Sequence, residues 1–192
     1  GFETFFSERR PFFVEGSGNL SFNNLFYSRR ICRSPQGSPD VPDGGFETQP
    51  ANTTILAAAK LTGKVGKFAI GGLHAVTSSE DARVAGGPTS PITRTPVEPV
   101  TNYSVGRVSR EFADNSRLSV MMTSTRRSLG PELSFLPKSA FVGDVDGDWR
   151  FGHGRYSLQG SWMGSTVHGS AEPIDRLQPS TVHSLPRPDT KT

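Results

Sequence analysis

Three carboxylates at alternate positions, Asp144, Asp146 and Asp148, are the first residues whose type and spacing suggest chemistry. The run Asp-Val-Asp-Gly-Asp has the opening of a calcium loop, where side chains at every second position ligate the ion and a glycine then allows a sharp turn. The match stops there, because Trp149 stands at the glycine position and Arg155 at that of the closing bidentate glutamate. On an extended strand the three residues instead form a row of negative charge on one face, since alternate side chains point the same way. A row of this kind calls for nearby cations. Arg107 and Arg127 on neighbouring strands, together with Arg150, are the candidates, and the six residues are read as lining a lumen.

Other routes to chemistry are weaker. The histidines, His74, His153, His168 and His183, form no metal-ligand spacing. Gly160-Ser161-Trp162-Met163-Gly164 places its serine wrongly for a nucleophile elbow, and Gly63-Lys64-Val65-Gly66-Lys67 lacks the phosphate-loop spacing. No catalytic set, cofactor or metal is therefore expected, and enzymatic activity is left without a candidate constellation. The pairs Arg9-Arg10, Arg29-Arg30 and Arg126-Arg127 suit anions such as lipopolysaccharide phosphates or an acidic glycan, or serve as partners of lumenal carboxylates. Phe26 and Tyr27 beside Arg29 and Arg30 have the makings of a base-stacking surface. A net charge of only +3 over 192 residues argues against nucleic acid as a partner.

The elements that hold these residues read as β-hairpins. From Ala140 to Val167, Phe141, Val145, Trp149 and Phe151 share one face, while the acidic row takes the other. Gly152-His153-Gly154 makes a tight turn, and pairing Phe151 with Tyr156 puts Tyr156, Leu158 and Trp162 on the same apolar side. A second hairpin spans 54–78 around Gly63 to Gly66, with Ile55, Ala57, Ala59 and Leu61 facing the same way as Phe68, Ile70 and Gly72. A third spans 102–127 around Asp114-Asn115. It aligns Gly106, Val108 and Phe112 with Leu118, Val120 and Met122, but brings Arg110 onto the apolar face, a sign of a wrong register or of a nearby interface. Ahead of these, residues 1–19 read as an entry segment with a short helix over Phe2 to Arg10 stopped by Pro11.

Composition fits an all-β chain with an unusual solvent. Hydrophobic residues make up 33% and there are 21 glycines, so the apolar faces are thinly furnished for a sandwich core. One cysteine excludes a disulfide framework. The connections Ser79 to Thr101 and Ser128 to Ser139 are long and read as loops, whereas the three turns are short. Strands of about ten residues with alternating faces, short turns at one end and long loops at the other fit an outer-membrane barrel. Phe68, Phe112, Trp149, Phe151 and Tyr156 gather beside the short turns as a girdle would.

The runs FETFFSERRPFFVEG (Phe2 to Gly16), LFYSRRI (Leu25 to Ile31) and ILAAAKLTGK (Ile55 to Lys64) resemble the bacterial family called domain of unknown function 5916. The later runs NYSVGRV (Asn102 to Val108), SWMGSTVHGSAE (Ser161 to Glu172) and RPD (Arg187 to Asp189) are similar to it as well. The resemblance implies a large outer-membrane-type barrel preceded by a family-9-type carbohydrate-binding domain, and some members are labelled membrane-associated hydrolases. The sequence departs from the family pattern at Cys32, where Gly normally follows LFYSRRI; the cysteine is read as a small packing residue.

The expectation is an all-β fold of antiparallel hairpins from an up-and-down outer-membrane barrel, with residues 20–192 an incomplete part of it. A chain that opens on Gly1 is expected to be a piece of a longer one, with no signal peptide of its own and both the sugar-binding domain and further strands elsewhere. Six or seven strands fall short of the usual minimum of eight, so an open sheet with exposed edges is expected. Its lipid-facing residues would be Phe141, Val145, Trp149, Phe151, Tyr156, Leu158 and Trp162. The role is structural, pore-forming or anchoring in a bacterial outer membrane. Partners would be membrane lipid and, through the upstream domain, carbohydrate. The alternatives are a soluble β-rich carbohydrate-binding module, which would bury the apolar face under a second sheet, and a membrane-associated hydrolase.

Overall fold

A computed structural model describes residues 7–20 and 25–170. Among these, nine strands run in the order β1 (Phe46–Thr48), β2 (Ile55–Val65), β3 (Phe68–Thr77), β4 (Glu80–Ala85), β5 (Thr93–Glu98), β6 (Val100–Glu111), β7 (Arg117–Ser128), β8 (Ser139–Phe151) and β9 (Tyr156–His168). They form two antiparallel sheets: a six-stranded one in the order β2-β3-β6-β7-β8-β9 and a small one in the order β1-β4-β5. The all-β antiparallel expectation holds. Neither sheet closes into a barrel, and β2 and β9 are the edges of the large one.

The three hairpins lie where alternation and turn residues put them. Phe151 pairs with Tyr156, Val108 with Val120, and Leu61 with Gly72. The first turn is tighter than expected: Val65 pairs with Phe68, so only Gly66 and Lys67 connect the strands. Gly66 has φ 59°, a conformation glycine adopts without penalty at the start of a two-residue turn. At the second turn Asn115 has φ 62°, and the Asp114 carboxylate accepts the backbone N–H of Ser116 at 3.0 Å. That bond holds the Asp114 carboxyl below its usual range. A register shift between Ile55 and Ala57 turns Ile55 to the opposite face from Ala57, where it packs beside the core instead of sharing the outer face.

Two expectations fail locally. Residues 79–101 are not a loop, because β4 and β5 form a hairpin that β1 extends. Pro96 sits within β5, which tolerates proline because it is an edge strand of that sheet. The other long connection, between β7 and β8, contains a 3₁₀ turn at Pro131–Leu133 and buries Leu133 and Leu136. The N-terminal helix is also displaced. Phe2 to Phe6 lie outside the described residues, Ser7 to Arg10 are not helical, and the helix α1 spans Pro11–Val14. Pro11 opens it rather than stopping it, since a first-turn residue needs no N–H and proline's φ is already helical.

The core lies on one face of the large sheet. Phe13, Leu20 and Ile31 of the N-terminal segment pack against Leu73 and Ala75 of β3, Tyr103 and Val105 of β6 and Met121 of β7. Burying each large side chain contributes about 1.5–3 kcal/mol. Lys60 on β2 donates to the carbonyls of Phe12 and Glu15, tying α1 to the sheet. Gly16 has φ 63°, and a Cβ there would lie 2.7 Å from the Thr62 hydroxyl, so the segment reaches the sheet only with glycine at this point. The face covered in this way is called inner below, and the opposite one outer.

Candidate functional site

The acidic row lies on the inner face of β8. Register sets Asp144 between Met121 of β7 and Met163 of β9, and Asp146 between Ser119 and Ser161. Arg107 of β6 donates to both carboxylate oxygens of Asp146, at 2.9 and 3.2 Å, and both residues are buried. Arg117 approaches the same carboxylate at 3.9 Å, and Arg150 lies 3.9 Å from Asp148. The expected Arg107 counter-charge is therefore present. Arg127 does not serve the row: it points to the same face at the far end of β7 and donates to the Pro137 carbonyl at 2.9 Å. Asp144 differs from its neighbours, being 2% exposed with neither carboxylate oxygen hydrogen-bonded. Among the described residues no cluster of three His, Cys, Asp or Glu is placed to hold a metal ion.

The outer face is apolar and uncovered. Phe141, Val145, Trp149 and Phe151 of β8 and Tyr156, Leu158 and Trp162 of β9 all point to it, as the alternation requires. Register extends the surface through Val120 and Met122 of β7, Val108 of β6, Ile70 and Phe68 of β3, and Leu61 and Val65 of β2. Leu61, Trp162 and Val65 are about 70% exposed (71%, 70% and 69%). The glycines interleaved among them make room for rings. A Cβ on Gly147 would lie 2.1 Å from the Trp149 ring, and one on Gly164 3.3 Å from that of Trp162. Phe151 and Tyr156 stack at 5.5 Å beside their turn. Arg110, the charge that seemed misplaced, lies over the rings of Phe112 at 4.9 Å and Phe68 at 5.6 Å near the strand ends. Its register is correct.

Towards the long-loop end the outer face turns polar. His74, Ser104 and Ser124 follow one another across β3, β6 and β7, with Asn102 and Arg126 in the next row. His74 Nδ1 and Ser104 Oγ share a hydrogen bond of 2.9 Å. This pair escaped the sequence reading because the residues lie 30 positions apart and meet only through the β3–β6 register. His153 has φ 59° in the β8–β9 turn, His168 ends β9, and His183 lies outside the described residues. Among the described residues no helix is long and apolar enough to cross a membrane, which leaves strands aside.

Arg9-Arg10 and Arg29-Arg30 line one cleft at the N-terminal segment, whereas Arg126 and Arg127 point to opposite faces of β7. Cys32 is not on a strand: it lies in a turn with φ 73°, a conformation that favours glycine.

The sequence profile of the family described as a domain of unknown function, DUF5916, matches residues 1–167, and the chain belongs to that family. No curated protein and no solved structure matches it.

Proposed function

We propose that this member of the family forms a sector of the wall of a bacterial outer-membrane β-barrel, with a structural, anchoring or pore-lining role. The observation that carries the reading is the outer face of the six-stranded sheet, a continuous apolar surface left exposed. Soluble monomers seldom expose apolar patches of more than a few hundred Å². A second sheet over Val145, Trp149 and Trp162, as a soluble carbohydrate-binding module would need, is absent among the described residues. The nine residues from Gly143 to Phe151 match the roughly 9–11 residues that a tilted transmembrane strand needs. Phe68, Phe112, Phe151 and Tyr156 then form the girdle at the short-turn interface. The open edges at β2 and β9 must pair with further strands, or with the edges of other copies of the chain, for the sheet to sit in lipid, where unpaired backbone is costly. Arg107, Asp144, Asp146, Asp148 and Arg150 face the lumen, and the N-terminal segment acts as a plug. Lipid is the immediate partner, and carbohydrate is reached through a domain outside this chain.

The reading is tested by refolding the full chain with phospholipid vesicles. The chain is expected to float with the vesicles after an alkaline carbonate wash. Recovery in the wash as a water-soluble monomer would sink the proposal.

A second reading, a lipid-ester hydrolase, draws on His74 and Ser104. A serine hydroxyl bonded to an imidazole is the nucleophile–base unit of acyl transfer, and this one lies where the outer face turns polar. In this chemistry Ser104 Oγ attacks the ester carbonyl while His74 takes its proton and delivers it to the leaving alcohol. Water then releases the acyl group from Ser104. Labelling by a fluorophosphonate that disappears in Ser104→Ala and His74→Ala supports it, and no labelling of the folded chain excludes it.

A further inference from the structure

We propose that the cleft between residues 8–10 and 27–34 is a binding site for a phosphate-bearing anion with more than one phosphate oxygen cluster, such as a diphosphate or phosphorylated glycan headgroup. This site lies outside the sheet and does not depend on the sheet facing lipid. The cleft has a volume of about 600 Å³ and is lined by Glu8, Arg9, Arg10, Tyr27, Arg33 and Asn52, among others. Arg29 and Arg30 line it too, which gives five arginines against one glutamate and a formal charge of +4. Tyr27, Arg29 and Arg30 already hold contacts of their own, so the argument stands on the other side chains.

Glu8 is fully committed. Its carboxylate accepts from Arg10 Nε and Nη2, at 2.9 and 2.6 Å, and from the Ser28 hydroxyl at 2.6 Å. The Arg10 bonds, above all, hold its carboxyl far below the usual range. Arg10 also donates to the carbonyls of Ile31 and Ser28, both at 3.0 Å, and so pins the two walls together. Arg10 is thus the frame of the cleft, and Glu8 neutralises it alone. Arg9 and Arg33 remain. Arg9 lines the cleft, is exposed and makes no side-chain bond among the described residues. Arg33 is half-buried, and its Nε is a buried donor with no acceptor. The charge of Arg33 also acts on Arg127, a like charge. Glu98, whose charge acts on Arg127, is buried and accepts from Gln36 at its backbone N–H (2.9 Å) and side-chain amide (3.1 Å).

A guanidinium whose Nε is a buried donor without an acceptor, in a cleft of small-molecule size that a second arginine lines, suits an anion. Phosphate matches it better than a single carboxylate. It carries up to two charges and presents several oxygens to planar guanidinium forks, and the cleft holds positive charge in excess of one. The Asn52 amide gives the wall an uncharged polar surface, as a sugar phosphate would use.

The test is calorimetric titration of the folded full chain in detergent with inorganic pyrophosphate, and in parallel with vesicles carrying a phosphorylated glycolipid. Pyrophosphate is expected to bind, and Arg9→Gln with Arg33→Gln together should weaken it by about tenfold or more. Arg33→Lys keeps the charge but loses the fork and should fall between. Arg155→Gln, in the β8–β9 turn, should bind as the parent does. Vesicle binding that depends on the same two arginines identifies a lipid headgroup, and pyrophosphate binding without it identifies a soluble ligand. Absence of pyrophosphate binding at millimolar concentration, or equal binding by the double variant with a native circular dichroism spectrum, overturns the proposal.

Discussion

The two faces of β8 are made by one run of thirteen residues and meet opposite environments. On the inner face Asp144 and Asp146 are 2% and 4% exposed, while on the outer face Trp149 and Phe151 are 43% and 55% exposed. A soluble β-protein distributes the same residue types the other way. The inversion teaches that burial along β8 does not track hydrophobicity, unlike the covered faces of β3, β6 and β7, where Leu73, Val105 and Met121 are buried. Asp146 is buried where Arg107 and Arg117 compensate it, Asp144 is buried without a hydrogen-bond partner, and the apolar side chains of the opposite face are left uncovered. On β8 the inner face is held by specific pairs and the outer face is uncovered, so substitutions on the two faces should fail in different ways.

The largest effect is expected on the inner face. Asp146→Asn leaves Arg107 buried without its carboxylate, and breaking a buried pair from one side costs about 3–5 kcal/mol. Asp144→Asn removes a carboxylate that has no partner and should leave stability unchanged or raised. Denaturant melts of both variants in detergent check this, and equal losses would erase the distinction between paired and unpaired acids. On the outer face Val145→Arg should cost about 2–4 kcal/mol in a bilayer, but within about 0.5 kcal/mol if water covers the strand. Folding equilibria in vesicles separate the two values.

Smaller effects come from the segment that covers the inner face. Cys32→Gly should stabilise by about 1 kcal/mol, because an L side chain at φ 73° is strained and glycine is not. A thermal shift of the opposite sign would show the turn to be relaxed. Glu8 has its carboxyl lowered from 4.5 in the folded chain, chiefly by the Arg10 side chain. Its contribution is present above that value and is lost as the pH falls through the folded one. Glu8→Gln should therefore flatten the stability profile below about pH 4.5, as read by melts from pH 7 to pH 2.

The hairpins were legible because their information is local. Alternation from Phe141 to Phe151 fixes the faces, and Gly66, Asn115 and Gly152 to Gly154 supply the positive φ angles the turns need. What depended on distant packing was not legible. The β4–β5 hairpin alternates only over the short run Asp81 to Val84, carries a proline in β5, and lies beside β1, some 35 residues earlier in sequence. Arg107 and Arg127 look alike in sequence and occupy the same face. Only the β6–β7–β8 register decides that Arg107 meets Asp146 while Arg127 reaches the Pro137 carbonyl. The anion cleft was visible only as arginine pairs, because the bonds from Arg10 to Ser28 and Ile31 bring those pairs together across the chain.

The two tryptophans of the chain, Trp149 and Trp162, both lie on the outer face, so intrinsic fluorescence reports on it without a label. The central claim is tested by quenching in vesicles with lipids brominated at different depths, using Trp149→Phe and Trp162→Phe to separate the signals. The account predicts that Trp162 is quenched most by bromine deep in the acyl chains and Trp149 by bromine nearer the interface, with iodide in water reaching neither. Tryptophans quenched by aqueous iodide and untouched by brominated lipid would contradict it.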